Sequence, residues 1–305
     1  MQEEKAEKLS EEELLTQLRK QYEIDTEEEF EAYKKKALIA LTTGEHPGKE
    51  KILTIVGGQP GAGKSRLMVL TKQQLEAEAV IVNFDELRAL HPSYEEASTK
   101  HTEIVHKILQ YDTNEVKKQV LEELIKEGYS VLYEGALRDT QGFIDFAKDF
   151  KENGYTVKLN VMAVPKLESY GSTLYRYATA LLTDQTPRWV EKYAHDEAYV
   201  AMIRTMQEFE KSGILDTVKV FERGKDRPRE IYSTEQRQFE STIAAVQYGR
   251  EVGRRKAIED FPAKYTVVRD TLKIKQPELL KNLDPWKEFY EEEKAYFEKI
   301  DNKEK

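Results

Sequence analysis

Residues Gly58 to Ser65 read Gly-Gln-Pro-Gly-Ala-Gly-Lys-Ser and match the whole phosphate-binding pattern G-x-x-x-x-G-K-S/T. The apolar run 52–56 before this loop predicts a buried strand, and residues 66–79 after it predict a helix. In that setting, backbone N–H groups and the positive end of the helix dipole surround phosphate oxygens. The stretch therefore predicts a site for a nucleoside triphosphate.

Two side chains of the loop are suited to phosphoryl chemistry. Lys64 would carry its charge to the β- and γ-phosphates, and the Ser65 hydroxyl would be a Mg²⁺ ligand. The nucleotide-binding residues predicted from the motif are Gly58, Gln59, Pro60, Gly61, Ala62, Gly63, Lys64 and Ser65.

Composition excludes several classes of function. The 305-residue chain has no cysteine, which excludes disulfides and thiolate metal sites, and any metal is expected on oxygen ligands. A net charge of −9 disfavours nucleic-acid binding over a broad face. The basic clusters 223–229 and 250–256 contain or adjoin acidic residues, so they are interpreted as a solvated turn and a solvated helix face. The N-terminus lacks a leader pattern and no run could span a membrane, so we expect a cytoplasmic protein.

Strand and helix patterns alternate along the chain. After the first strand, runs at 80–84, 130–133, 157–164 and 218–221 predict further strands separated by helices. This order predicts the α/β class, with a parallel sheet flanked by helices and ligands at the carboxyl ends of the strands. We expect N-terminal helices and a linker at 1–48, a core at 49–233, and a C-terminal helical extension at 234–305 without a derivable role. Within the core, two helices over about 167–212, broken at 183–187, predict a lid.

Acidic residues follow two of the predicted strands. Asp85 could be the general base for phosphoryl transfer or only the cap of the next helix. Glu134 could orient Mg²⁺ and contact substrate, or cap a helix. Arg138 could bind a substrate phosphate or be an exposed arginine.

The predicted lid carries Arg176 and Arg188. Closing over the γ-phosphate, their planar guanidinium groups would stabilise transition-state charge and exclude water, although each could also be a surface arginine. The histidines show no metal-ligand spacing.

These motifs, in this order and spacing, resemble the zeta-toxin family of P-loop kinases, over about residues 25–232. The matching residues are the loop with its preceding glycine, Asp85 with His91-Pro92, Gly128-Tyr129, Glu134-Gly135, Leu137-Arg138, the run 161–165, Arg176-Tyr177, and Arg188 ahead of Ala194-His195-Asp196. The resemblance implies a kinase that uses ATP and Mg²⁺ to phosphorylate the amino-sugar 3′-hydroxyl of UDP-N-acetylglucosamine. It also implies a toxin that is neutralised by a small helical antitoxin protein.

The resemblance also implies roles for the candidate residues. Lys64 and Ser65 would hold nucleotide and metal, Asp85 would be the catalytic base, and Glu134 would serve the metal and the sugar. Arg176 and Arg188 would stabilise the transferring phosphoryl group.

Two positions depart from the family pattern, because Lys118 stands where the family has a glutamate and Ala136 where it has a threonine. The acceptor could therefore be another small hydroxyl compound, such as a nucleoside or an antibiotic. An ATP-dependent switch or interaction protein with a vestigial acceptor site is the alternative from a different class.

Overall fold

The computed structural model describes residues 10–302 except 76–77, 103, 184 and 186, so part of the break predicted at 183–187 lies outside the described residues. The elements in chain order are α1 Glu11–Tyr22, α2 Glu27–Thr42, β1 Ile52–Gly57, α3 Lys64–Gln74, β2 Ala79–Val82, α4 Phe84–Ala89, α5 Tyr94–Lys100, α6 Val105–Ile108, α7 Gln110–Glu127, β3 Ser130–Gly135, α8 Thr140–Glu152, β4 Thr156–Met162, α9 Lys166–Ala180, α10 Lys192–Ser212, β5 Thr217–Glu222, β6 Arg229–Ser233, α11 Thr242–Lys275, a 3-10 helix Pro277–Leu283, and α12 Asp284–Asp301.

The chain forms two compact units that interleave along the sequence. Unit 1 comprises residues 1–47 and 80–129, and unit 2 comprises residues 48–79 and 130–305. The three segments expected from the sequence, 1–48, 49–233 and 234–305, describe the order along the chain and stay a prediction. No helix in the described ranges is long and apolar enough to cross a lipid bilayer.

Unit 1 is helical. Its helix α1 begins with a capping box in which Ser10 and Glu13 satisfy each other's backbone N–H groups. Thr26 caps α2 and accepts from the Glu29 backbone N–H. Buried apolar side chains of α1, α5 and α6 form its core, namely Leu18, Tyr22, Ala97, Ile108 and Leu109.

Buried polar contacts fix the longer helices of unit 1. The Tyr33 hydroxyl of α2 donates to the Leu87 carbonyl of α4 at 2.8 Å. His91 Nε2 lies 3.2 Å from Asp112 Oδ2 on α7, and the same carboxylate accepts from the Ile24 backbone N–H. A buried polar group is costly unless it is bonded, so these bonds favour one arrangement of α2, α4 and α7.

Unit 2 contains a mostly parallel sheet, as predicted. Its strands run in the order β3-β1-β4-β5-β6, with β1 parallel to β3 and β4, β4 parallel to β5, and β6 antiparallel to β5. All six residues of β1 are buried, which fits a central strand covered on both faces. The register pairs Val56 with Glu134 and Gly57 with Gly135. The carboxyl end of β3 therefore lies beside the start of the phosphate-binding loop.

Several boundaries differ from those predicted. Strand β2 ends at Val82, because the Asn83 side chain caps α4 and Phe84 already belongs to that helix. Helix α3 begins at Lys64 and ends at Gln74, earlier than the predicted 66–79. The antiparallel strand β6 was not predicted.

The C-terminal segment of unit 2 packs against α9. Buried side chains from α9, α11 and α12 form one cluster whose largest member is Trp286 of α12. A Cβ atom on Gly171 of α9 would lie 2.4 Å from the Trp286 ring, so glycine at this position permits the close approach of the two helices. The predicted C-terminal extension thus shares a buried core with α9.

Candidate active site

The loop Gly58–Ser65 joins β1 to α3 and its glycines adopt positive φ. Gly61 has φ 74° and Gly63 has φ 95°, a region that L side chains rarely adopt. A Cβ atom on Gly61 would lie 2.0 Å from the Ser169 carbonyl of α9. Gly63 caps α3 without a side-chain hydrogen bond, so the capping position offers backbone donors. The loop can therefore hold an anion with its backbone.

Lys64 lies inside this loop and meets a carboxylate. Its Nζ is 3.8 Å from Glu134 Oε1 and 3.4 Å from the Gln59 carbonyl. The side chain is 12% exposed, whereas that of Glu134 is 23% exposed. Burial lowers the pKa of Lys64, and Glu134 opposes that effect.

Arg176 and Arg188 belong to the same electrostatic group. Both guanidinium groups lower the pKa of Lys64, so their charges act at the Lys64 ammonium. Arg176 lies on α9, and Arg188 lies in the connection before α10. Two further positive charges therefore act at Lys64 beside its carboxylate partner Glu134, which suits a polyphosphate with its metal ion.

Oxygen ligands for Mg²⁺ are available in the loop region. The Ser65 hydroxyl lies in the first turn of α3, and Glu134 lies at the end of β3. No group of three or more acidic or histidine side chains suited to a metal occurs in the described part of the chain. One or two protein oxygens are enough for Mg²⁺ held jointly with nucleotide phosphates, so these residues fit a nucleotide-bound ion.

The structure places Glu134 and Arg138 on either side of the residues that lead into α8. Asp139, not Glu134, caps α8, because its side chain accepts from the Gly142 backbone N–H. The Arg138 side chain is 54% exposed and lies 3.5 Å from Glu197 of α10. The Arg138 side chain is therefore exposed and has an acidic neighbour on α10.

Asp85 lies in unit 1, in the first turn of α4. Asn83 is the N-cap and accepts from the Asp85 backbone N–H, so the alternative that Asp85 caps this helix is wrong. Its carboxylate accepts a hydrogen bond from Arg88 Nη1 at 2.7 Å, and its side chain is 49% exposed. Asp85 is thus a partly exposed carboxylate with a guanidinium beside it.

Arg223 is a candidate site residue that the sequence interpretation missed. It follows β5, and its Nη1 donates to Glu168 Oε1 at 3.0 Å and to Ser172 Oγ at 2.9 Å on α9. Its Nη2 donates to the Gly61 carbonyl within the loop. The solvated-turn interpretation is wrong for this residue, whose guanidinium joins the phosphate-binding loop to α9. Its position directly after a strand was the available signal.

A buried polar chain supports the other side of the loop. Gln59 Nε2 donates to the Val164 carbonyl at 2.9 Å and to Ser169 Oγ at 3.1 Å. Ser169 Oγ lies 2.9 Å from His195 Nε2, and His195 Nδ1 lies 3.2 Å from Asp196 Oδ1. Burial lowers the pKa of His195 to about 4 although Asp196 opposes the shift. The His195 side chain is fully buried, so this Ser-His-Asp order is a support and not a nucleophile.

The sequence matches a family model and several named proteins. A model of the family described as Zeta toxin matches residues 37–237. Toxin zeta of Streptococcus agalactiae is 29% identical over 199 residues, which cover 65% of this chain and 69% of that protein. Toxin PezT of Streptococcus pneumoniae is 26% identical over 201 residues, which cover 66% of this chain and 79% of that protein.

Solved structures share the fold. One from the PezAT chromosomal toxin–antitoxin system of Streptococcus pneumoniae matches with a TM-score of 0.70 and 23% identity, over 82% of this chain and 98% of that chain. A chain of the AvrRxo1-ORF1:-ORF2 crystal structure with ATP matches with a TM-score of 0.51 and 14% identity. The match covers 87% of this chain and 83% of that chain. These likenesses confirm the predicted fold class. Since the family model spans more than half of the sequence, this chain belongs to the zeta toxin family.

Proposed function

We propose that the chain is an ATP- and Mg²⁺-dependent small-molecule kinase, which phosphorylates a sugar hydroxyl of UDP-N-acetylglucosamine or a related sugar nucleotide. The observation that carries the proposal is the group formed by Lys64, Glu134, Arg176 and Arg188 around the phosphate-binding loop. Phosphoryl transfer depends on positioning and on charge stabilisation, and this group supplies both.

The loop and the cations have distinct tasks in this reaction. Backbone N–H groups of the loop hold the phosphates, and Lys64 compensates charge on the β- and γ-phosphates. Arg176 and Arg188 stabilise the charge on the transferring phosphoryl group. Mg²⁺, held by Ser65, Glu134 and the nucleotide, would neutralise further charge as the bond to the leaving ADP breaks.

Asp85 is the proposed general base. In the balanced step, the acceptor hydroxyl passes its proton to the Asp85 carboxylate, its oxygen bonds to the γ-phosphorus, and ADP leaves with the electrons of the broken bond. The Asp85 carboxylate accepts a hydrogen bond from Arg88 Nη1, which orients it. The assignment rests on the family resemblance and on this hydrogen bond.

Two positions of the chain bear on the identity of the acceptor. Lys118 is exposed on α7, and Glu115, one turn earlier, accepts from Gln119 Nε2 at 3.1 Å. Lys118 and Ala136 favour the alternative in which another small hydroxyl compound is phosphorylated. The same two departures would suit an ATP-dependent switch, which would bind or slowly hydrolyse ATP without any acceptor.

We also propose that the protein is a toxin paired with a small helical antitoxin. The names toxin zeta and toxin PezT, and the toxin–antitoxin system of the structural match, support this role. Growth of cells that express the chain, compared with cells expressing Lys64→Ala, tests toxicity. Equal growth of the two cultures at equal protein level would contradict the toxin role.

Mass spectrometry of a sugar-nucleotide and nucleoside panel tests the reaction. The panel is incubated with ATP, Mg²⁺ and the protein, with Lys64→Ala as the matched control. The proposal predicts one acceptor that gains a phosphoryl group only with the wild-type protein. Acceptor-independent hydrolysis with no modified compound would support the switch instead.

A further inference from the structure

The segment after residue 237 lies beyond the family match, yet it packs on the helix that carries Arg176. Helix α11, the 3-10 helix and α12 contribute six buried side chains to the cluster on α9, which are Ala257, Phe261, Val268, Leu272, Leu283 and Trp286. A helix buried in this way has a fixed orientation. The C-terminal segment therefore determines where α9 presents its side chains.

Tyr177 connects the sequence neighbours of both arginines. It follows Arg176 on α9, is 5% exposed, and packs its ring edge-to-face against Trp189 with 4.9 Å between ring centroids. Trp189 directly follows Arg188. One aromatic pair thus holds the backbone next to the two residues whose charges act at Lys64.

The Tyr177 hydroxyl is held by the C-terminal segment. It donates to Gln276 Oε1 at 2.5 Å. Gln276 is the C-cap of α11, where its backbone N–H donates to the Leu272 carbonyl. The acceptor is therefore carried by a residue whose backbone is itself fixed, and the bond can fix the Tyr177 ring in turn.

We propose that Tyr177 and Gln276 are positioning residues for Arg176 and Arg188, so that the C-terminal segment is part of the phosphoryl-transfer machinery. The inference rests on the proposed kinase function. Loss of the hydrogen bond releases the Tyr177 ring. The Tyr177–Trp189 pair then no longer fixes the positions of the two guanidinium groups relative to the bound phosphates. Small misplacements of charge-stabilising groups lower the rate of a reaction that depends on positioning.

Variants that remove only the hydrogen bond test this inference. Tyr177→Phe and Gln276→Leu each remove one partner, and the double variant removes both. Gln276→Glu keeps an acceptor oxygen and serves as the conservative rescue. Tyr265→Phe is the matched control, because Tyr265 packs against the same cluster and its hydroxyl makes no hydrogen bond to another described residue.

Three measurements separate positioning from stability. They are kcat, the affinity for ADP with fluoroaluminate as a mimic of the transferring phosphoryl group, and the affinity for a non-hydrolysable ATP analogue. We expect Tyr177→Phe and Gln276→Leu each to lower kcat and the fluoroaluminate affinity about tenfold, with the ATP-analogue affinity within about twofold. The double variant should be no worse than either single variant, since one bond is lost in each case.

The result that would overturn the inference is loss of thermal stability alone, with kcat and fluoroaluminate affinity of the folded variants unchanged. Effects that multiply in the double variant, or a Tyr265→Phe variant that loses as much as Tyr177→Phe, would overturn it as well. A wild-type protein that phosphorylates no acceptor would contradict the kinase function instead. The fluoroaluminate affinities would then still decide the positioning role.

Discussion

The Lys64 ammonium lies 3.8 Å from the Glu134 carboxylate, where β1 and β3 end side by side. Burial and the charges of two arginines lower the pKa of Lys64, and Glu134 opposes them in the free protein. A polyphosphate bound to the loop would add negative charge at the same place and would raise the pKa of Lys64. We therefore expect nucleotide binding to be linked to the protonation of Lys64.

This linkage predicts a pH dependence of nucleotide affinity. Between the lowered pKa of the free protein and the higher pKa of the complex, binding takes up a proton, so affinity falls as pH rises. The window begins below the ordinary Lys pKa of 10.5, because the pKa of Lys64 in the free protein is shifted downward from there. Calorimetry in two buffers with different protonation enthalpies measures the uptake.

Glu134→Gln sharpens the pH test. Removing the carboxylate takes away an effect that raises the Lys64 pKa, so the fall in affinity should begin at a lower pH than in the wild-type protein. Lys64→Met should show no proton uptake in this window. An onset at higher pH in Glu134→Gln would contradict the assigned electrostatics.

The planar guanidinium group of Arg223 should increase the affinity for nucleotide. In Arg223→Lys, a single ammonium cannot bond Glu168, Ser172 and the Gly61 carbonyl together in the same geometry. We expect the affinity for an ATP analogue to fall about tenfold, the equivalent of one charge-assisted hydrogen bond.

The matched control for Arg223 is Arg229→Lys on the same hairpin. Arg229 is 66% exposed and pairs with Glu222 at 2.6 Å, so its replacement should change affinity by less than about twofold. Fluorescence titration with the ATP analogue measures both. Equal losses in the two variants would show that the Arg223 contacts have no special role in the loop.

Asp85→Asn should abolish transfer and spare nucleotide binding. The amide cannot accept the hydroxyl proton, so we expect kcat to fall by about 10²–10⁴-fold. The affinity for ATP should stay within about twofold, because the loop residues are unchanged. Stopped assays with the acceptor found in the panel measure kcat, and near-normal transfer would remove Asp85 from its proposed role.

His195 should make the protein less stable in acid. Its pKa is 6.5 in an unfolded chain and about 4 in the folded protein, so the unfolded chain binds more protons between these values. The free energy of unfolding therefore falls as pH drops from 6.5 toward 4, by at most about 3 kcal/mol from this residue. Urea unfolding across that range should show a shallower decline in His195→Gln than in the wild-type protein. Parallel declines would contradict the buried neutral histidine.

The sequence predicted the parts of the site that are local along the chain. The loop, the strands before it and after it, and the carboxylate at the end of β3 could be predicted because each depends on neighbouring residues. The alternative that Asp85 caps α4 is wrong, because Asn83, two residues earlier, is the cap of this helix.

What could not be predicted depends on contacts between distant residues. Arg223 lies 162 positions from Gly61, and its basic neighbours suggested a solvated turn. The sequence pattern likewise predicts a solvated helix face for Arg254. Its side chain is only 22% exposed, and its Nε lies 2.6 Å from Glu293 Oε2 of α12. The Tyr177–Gln276 bond spans 99 positions and joins a family segment to one beyond the family match. Periodicity and motif spacing contain no signal for such pairs.

The most direct test of the central proposal is the transfer of a labelled γ-phosphoryl group from ATP to UDP-N-acetylglucosamine or another member of the panel. We predict a labelled sugar nucleotide with the wild-type protein and none with Lys64→Ala or Asp85→Asn. Label that appears only as inorganic phosphate, at the same rate with and without every acceptor, would contradict the kinase assignment.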